Sequence, residues 1–240
     1  MTPTQVLTWT ATSAIVHQII AKLSKMYISS RIDSWKLSPE TKQQVSSTMF
    51  LRYILSTINA IQSGCWGLYK FTQGSARWDD PTGNSESVAL INGFQLADLL
   101  ITDDWRNDKS TLLHHAVGIF SISGLLLGNI GETFMCDAEL MELSSIFLNI
   151  MWFYKVFGKT NTKSYKIISV VFLLLFFVTR VVMYPLTLYR VREFRPDEWN
   201  KLNVAMKAIL PMLWFLQLFW FRKIILIVKK GFSSAPKLKE

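Results

Sequence analysis

The chain has 240 residues, 50% of them hydrophobic and 13% aromatic, with a formal net charge of +9. Its mean hydropathy of +0.24 is typical of a membrane protein and excludes an average soluble domain. The basic residues lie beside apolar segments and form no long basic block, which excludes a nucleic-acid partner and favours membrane topology.

Seven apolar segments predict membrane-spanning helices, since a span needs about 20 mostly apolar residues. In chain order they are Val6–Leu23, Met49–Tyr69, Val88–Ile101, Thr111–Ile130, Phe134–Phe157, Ile167–Tyr189 and Val204–Val228. The first is the weakest because Thr, Ser and His17 dilute it, whereas VVFLLLFFV at Val170–Val178 is apolar throughout. The sequence therefore predicts an all-α, polytopic transmembrane bundle.

The connections between these segments orient the bundle. With seven spans, the segments after spans one and five share a side with the C-terminal tail, and their lysines and arginines predict that this side is cytosolic. The segment Tyr189–Lys201 is also basic yet falls on the opposite side. Pro, Gly and Asn in WDDPTGNSE, Trp78–Glu86, predict an exposed loop. MTPTQVLTW lacks a basic region, so no cleaved signal peptide is expected.

Ionisable side chains occur at membrane depth in four of the segments. At a helix centre such a group costs about 2.5–3.5 kcal/mol, so each one calls for a partner or a cavity. The residues concerned are Asp98, His114, His115, Glu139, Glu142 and Arg180. We expect Asp98, a histidine of the pair, Glu142 and Arg180 to converge on one interior region.

Helical periodicity sorts these side chains by face. In LLHHAVGIFS, His114 shares its face with Gly118 and Ser121, small residues that permit close helix approach. His115 points about 100° away, so one imidazole is expected to face a cavity and the other a neighbouring helix. Glu142, Ser145 and Asn149 share one face of the next helix.

Several chemistries can be weighed for these groups. Three histidines are too few for a histidine-ligated diiron site, and Cys65 and Cys136 are isolated, so neither a metal nor a disulfide is predicted. A histidine acting as base or acyl acceptor, oriented by Glu142 or Asp98, is chemically reasonable. The structural alternative makes His114 with Glu142, or Arg180 with Asp98, interhelical pairs, or lets Arg180 reach the membrane interface.

The order of the polar motifs resembles the TLC domain family, which includes the ceramide synthases. DLL, LLHH, ELSSIFLNIMW and FFVTR followed by Pro185 carry the likeness, which runs from about Ser38 to Lys230. It is closest to the smaller TLC domain-containing proteins that are not ceramide synthases. Departures from those relatives are Ile146 in place of Pro, Asn59 in place of His and Met151 in place of Arg, and the longer histidine motif of the ceramide synthases is absent.

The resemblance implies six core helices plus one N-terminal helix around a lipid-binding or acyl-binding cavity, in the endoplasmic reticulum or a related membrane. The implied domains are residues 1–37, an N-terminal helix and cytosolic linker; 38–230, the TLC domain; and 231–240, a basic cytosolic tail. The implied catalytic residues are His114, His115 and Glu142. Those implied for lipid or acyl binding are Asp98, Ser145, Asn149 and Arg180.

Three functions follow as expectations. The first is membrane lipid homeostasis through an intramembrane cavity, with membrane lipids as partners and no cofactor. The second is an acyl-CoA-dependent N-acyltransferase acting on a sphingoid or other amine lipid, in which His115 reacts, Glu142 sets its tautomer and Arg180 meets the anionic CoA or headgroup. The third is a trafficking receptor or scaffold for membrane proteins that acts through the tail GFSSAPKLKE. The sequence leaves the oligomeric state open.

Overall fold

A computed structural model of the chain describes residues 2–72, 85–101, 109–128, 132–194 and 196–233. These ranges are helical, and no strand occurs within them. The helices are α1 (Pro3–Arg31), α2 (Pro39–Val45), α3 (Thr48–Thr72), α4 (Ser85–Ile101), α5 (Lys109–Gly128), α6 (Glu132–Val156), α7 (Lys163–Phe176), α8 (Tyr184–Phe194), α9 (Pro196–Lys201) and α10 (Val204–Ser233). A 3₁₀ turn at Ile32–Ser34 follows α1, and a π-helical segment at Phe177–Met183 joins α7 to α8.

The predicted all-α class is confirmed, and each of the seven apolar segments falls on one helix or on the continuous α7–α8 run. Within the described residues, two helical runs are long and apolar enough to cross a membrane, Lys163–Phe194 and Val204–Lys229, and Leu112–Gly128 is a shorter apolar helix. The number of spans and the domain boundaries stay predictions. The expected loop Trp78–Glu86 lies outside the described residues except for its last two, which begin α4, and the tail lies outside them from residue 234.

Local sequence explains where several helices begin. Thr2 accepts a hydrogen bond from the Gln5 backbone N–H, and the Gln5 side chain accepts one in return from the Thr2 backbone, a reciprocal cap at the start of α1. Thr162 caps α7 in the same way by accepting from the Tyr165 N–H. Between α6 and α7, Gly158 adopts a φ of 66°, a left-handed conformation that favours glycine and turns the chain back.

Glycines allow two helix pairs to approach closely. On α3, a Cβ at Gly67 would stand 2.7 Å from the Leu140 backbone nitrogen of α6, and one at Gly64 would stand 2.9 Å from the Leu143 side chain. On α4, a Cβ at Gly93 would stand 2.4 Å from the Thr10 carbonyl oxygen of α1. Small residues at these points therefore allow α3 to pack closely against α6 and α1 against α4, a device that is common in helix bundles of membrane proteins.

The bundle has two unlike ends. At one end of the bundle, α3, α5 and α7 begin and α4, α6 and α10 end. We call it the cavity end, because the cavity described below lies in that half. The other half is filled by one apolar cluster drawn from α1, α4, α5, α6, α8 and α10. Its buried members are Val6, Val88, Ala89, Leu125, Leu126, Met135, Met141, Tyr184, Val191, Leu202, Met206 and Leu210.

The π-helical segment has a local cause in Pro185. Proline has no backbone N–H, so Pro185 cannot donate to the carbonyl of Val181 four residues earlier. The indole N–H of Trp214 on α10 donates to that Val181 oxygen instead, at 3.1 Å. The helix therefore widens where its own hydrogen-bond ladder is interrupted, and the released carbonyl is satisfied by a neighbouring helix.

Candidate functional site

A cavity of about 400 Å³ lies between α3, α4, α5, α6, α7, the π-helical segment and α10. Its ionisable or imidazole-bearing lining residues are Arg52, Asp98, His114, His115, Glu142, Arg180 and Lys223. Ser56, Asn59, Gln95, Ser144, Ser145 and Asn149 add uncharged polar groups, and aromatic side chains complete the wall. A polar interior of this size is suited to a small ligand or to part of a lipid.

Asp98 on α4 is held by two partners. Arg52 of α3 donates from Nε to Oδ1 at 2.9 Å and from Nη2 to Oδ2 at 2.8 Å, a bidentate pair. The Nε2 atom of His115 on α5 lies 3.5 Å from the same Oδ2. Because Arg52 and Asp98 are both buried, the pair neutralises two charges that would otherwise be costly inside the bundle.

Arg180 lies on the π-helical segment and binds the facing side of α6. Its Nε donates to the Ser144 hydroxyl at 2.8 Å, and its Nη2 donates to the Ser145 hydroxyl at 2.9 Å and to Glu142 Oε1 at 3.2 Å. The guanidinium also lies 5.5 Å from the centre of the Phe176 ring. Arg180 is thereby fixed as the partner of α6, with its charge offset by Glu142.

The two histidines both line the cavity and contact different helices. His114 packs edge-on against Trp220 of α10, with ring centres 5.0 Å apart, while His115 lies beside Asp98 of α4. Their own rings are 5.6 Å apart and nearly perpendicular, at 89°. The Nδ1 atom of His114 is buried and has no hydrogen-bond partner within the part of the chain that the structure describes. It is therefore positioned to hydrogen-bond a ligand.

At the cavity end, α3 and α6 are joined by polar and aromatic contacts. Asn149 donates to the Ser56 hydroxyl at 3.0 Å, and Tyr53 stacks on Trp152 with ring centres 4.0 Å apart and planes within 8°. The stacked pair lies toward the start of α3 and the finish of α6, where both rings line the cavity.

A family model of the TLC domain matches residues 49–226, about three quarters of the chain. This chain belongs to the TLC domain family. TLC domain-containing protein 4-B of Xenopus laevis is 25% identical over 206 residues, covering 81% of this chain and 77% of that protein. TLC domain-containing protein 4 of Xenopus tropicalis is 27% identical over 77% of this chain and 75% of its own length. Its Homo sapiens namesake is 27% identical over 53% of this chain and 52% of its own length.

The TLC domain brings all the sequence-predicted site residues to the one cavity. They are Asp98, His114, His115, Glu142, Ser145, Asn149 and Arg180. The expected convergence of the polar groups is confirmed as geometry, whereas the catalytic and lipid-binding roles of these residues stay predictions. Glu139, also noted at membrane depth, is fully buried but does not line this cavity; it lies against Gly67 of α3.

One of the alternative pairings was wrong. Arg180 pairs with Glu142 and not with Asp98, whereas Asp98, one of the two carboxylates expected to orient a histidine, lies beside His115. The prediction that one imidazole faces the cavity and the other a neighbouring helix was also wrong. Each of the two histidines lines the cavity and also contacts a neighbouring helix. The physical reason is that Arg52 of α3 already forms an ion pair with Asp98.

Sequence reasoning missed Arg52, Ser144 and Lys223 as residues of the site. Arg52 lies within LRYIL inside a predicted span, so the same cost argument that marks Arg180 could have found it. Lys223 follows Arg222 near the finish of α10 and is indistinguishable by sequence from lysines that flank a span. No group of three or more potential metal ligands occurs in the described residues of this TLC domain.

Proposed function

We propose that this TLC domain protein spans a membrane as a polytopic bundle and binds lipid in its cavity, acting in membrane lipid homeostasis. One observation carries the proposal: Arg52, Asp98, Glu142 and Arg180, which lie in four different apolar helices, form two ion pairs around one cavity. Such groups at membrane depth mark binding sites or transport paths, because their desolvation cost must be offset.

The outer surface supports insertion of the bundle into a bilayer. Exposed positions along α1 and α10 are large and apolar, such as Leu7 and Ile19 on α1 and Met212 and Phe215 on α10. A soluble protein rarely exposes apolar surface of this extent, whereas lipid tails solvate it without cost.

The cavity end is proposed to face the cytosol, with the C-terminus on that side, in the endoplasmic reticulum or a related membrane. Lysines concentrate at this end, near the start of α5 and in the turn between α6 and α7, which is the side that the positive-inside rule assigns to the cytosol. They are Lys109, Lys155, Lys159, Lys163 and Lys166. Cysteine accessibility labelling in sealed microsomes, with single cysteines introduced at Lys159 and Lys201, tests this orientation; labelling of position 159 from the lumenal side contradicts it.

The lipid-binding proposal is tested by narrowing the cavity. Leu148 lines the cavity and makes no side-chain hydrogen bond that would be lost on substitution, so Leu148→Trp is expected to displace bound lipid. Leu113→Trp is the matched control, because Leu113 is 56% exposed and does not line the cavity. Native mass spectrometry of the purified proteins should detect co-purified lipid on the wild type and on the control, and markedly less on Leu148→Trp. Equal lipid on all three proteins contradicts the proposal.

An acyl-CoA-dependent N-acyltransferase of ceramide synthase type is the alternative, and the contact of His115 with Asp98 favours it. A carboxylate beside an imidazole sets its tautomer and orients it, as a general base requires. In this reaction the amine nitrogen bonds to the acyl carbon, the thioester C–S bond breaks, and His115 takes the amine proton and returns it to the thiolate. Intact-mass and product analysis after incubation with oleoyl-CoA and sphinganine tests it; no amide product from the wild type contradicts it.

A further inference from the structure

Among the described residues, the charges that line the cavity do not cancel. Arg52 is paired with Asp98, and Arg180 is paired with Glu142, so these four groups sum to zero. Lys223 also lines the cavity, and no carboxylate of the described residues lies within salt-bridge distance of it. Its ammonium group instead lies 4.4 Å from the centre of the Phe219 ring. Among the described residues that line the cavity, Lys223 is therefore a cation without a carboxylate partner.

Lys223 lines the cavity on the same helix as Trp220, which contacts His114. It follows Trp220 by three residues on the same face of α10, about 4.5 Å further along the helix axis toward the cavity end. Lys223 is exposed whereas His114 is partly buried, so the lysine lies on the more accessible side of the cavity.

We propose that Lys223 binds the phosphate of a single-chain phospholipid whose glycerol hydroxyl hydrogen-bonds to Nδ1 of His114 and whose alkyl chain extends into the cavity. The proposal rests on the lipid-binding function above and names the class of lipid. A phosphate ester is the commonest anionic group of membrane lipids, and a lysine binds it by a charge-assisted hydrogen bond. The orphaned Nδ1 of His114 supplies the second polar contact.

The cavity volume favours one chain over two. A cavity of about 400 Å³ lies toward the lower end of the range for small-molecule sites and takes a glycerol with part of one chain. A single-chain lipid is therefore the better match in size, and we assign a lysophospholipid to it.

The spacing also separates a lysophospholipid from acyl-CoA, which carries phosphate too. In acyl-CoA the whole pantetheine arm separates the thioester from the nearest phosphorus, so a thioester at the histidines leaves the phosphates far beyond Lys223. In a lysophospholipid only a few bonds separate the hydroxyl from the phosphate. That short separation is comparable to the rise of about 4.5 Å along α10 between Trp220, which contacts His114, and Lys223.

The test measures binding of three oleoyl compounds to the full chain in maltoside detergent by native mass spectrometry. The compounds are oleoyl lysophosphatidic acid, monoolein, which has the same chain and no phosphate, and oleoyl-CoA. Lys223→Gln is expected to weaken binding of lysophosphatidic acid about tenfold, the loss of one charge-assisted hydrogen bond at a partly exposed site, and to leave monoolein unchanged. Lys223→Arg should keep affinity for lysophosphatidic acid near that of the wild type.

Arg222→Gln is the matched control, since it removes the same charge from the neighbouring exposed position, which does not line the cavity. An equal loss in this control, or no loss in Lys223→Gln, overturns the role of Lys223. A loss for oleoyl-CoA alone overturns the lysophospholipid and assigns the cation to CoA. If the wild type binds neither monoolein nor lysophosphatidic acid, the lipid-binding function itself fails, which is a different result from selective failure of Lys223→Gln.

Discussion

The two ends of the bundle are built from the same helices and yet differ in chemistry. On α5, His114 and His115 at the cavity end give way to Leu125 and Leu126 in the opposite half. On α4 the order is reversed along the chain, from Val88 in the apolar cluster to Asp98 in the cavity, because the helix runs the other way. On both helices, the residues of the apolar cluster and the polar residues of the cavity therefore lie toward opposite ends.

This division shows how a helix bundle can hold charges in its interior. In the apolar half the helices pack side chain against side chain, and close approach at glycines adds contact. In the cavity half the same helices are joined by ion pairs and hydrogen bonds, which stabilise the fold only while both partners are present. The predictions below ask whether the polar half is as necessary for folding as the apolar half.

The largest loss of stability is expected from Arg52→Leu. This change strands a carboxylate, Asp98, whose side chain is only 4% exposed, and such a loss costs about 3–5 kcal/mol in soluble proteins and less in membranes. Arg180→Leu should cost less, because its partner Glu142 is 24% exposed and water can reach it. Thermal unfolding in detergent and cellular abundance measure both.

Arg222→Leu serves as the control for these variants, since Arg222 is exposed and outside the cavity. The double variant Arg52→Leu with Asp98→Leu should recover much of the stability, because no unpaired charge is left. If Arg52→Leu is as stable as the wild type, the ion pairs of the cavity half contribute little to folding, which contradicts this prediction.

An intermediate loss of stability is expected from a larger side chain where α3 packs against α6. Gly67→Ala places a Cβ 2.7 Å from the Leu140 backbone nitrogen, so the helices must separate at a cost of about 1–3 kcal/mol. Gly124→Ala on α5 is the matched change, since its Cβ would meet only Met206 atoms at 3.7 Å and beyond. That variant should be neutral or gain up to about 1 kcal/mol from helix propensity. Equal unfolding temperatures for the two variants would show that the close contact is dispensable.

The smallest effect on stability is expected from His115→Asn. Arg52 still bonds both oxygens of Asp98, so the loss should be below about 1 kcal/mol and abundance should stay near normal. The variant then separates architecture from chemistry in cells that lack the protein. A lipid profile restored by His115→Asn supports binding without acyl transfer, whereas a null profile at normal abundance supports the acyltransferase.

The apolar segments predicted the helices, and the cost of burying charge predicted most of the residues that line the cavity. Both predictions depend only on the composition of single segments of the chain. The pairing could not be predicted, since it depends on how each helix is rotated and which helices are neighbours. From the sequence, for instance, Arg180 could pair with Asp98 or reach the membrane interface, whereas in the structure it forms an ion pair with Glu142. The π-helical segment was also missed, although Pro185 was noted as part of the motif.

The π-helical segment at Phe177–Met183 bears on how this family can diverge. A π turn closes its hydrogen bonds one residue further along than an α turn, so it accommodates one more residue over the same path. Loss of a single residue here would shorten the π turn toward an α turn, and would turn Arg180 by about 100° relative to one of its flanking helices. A one-residue gap at this point between two otherwise alignable sequences would mark a lineage in which the arginine has left the α6 serines.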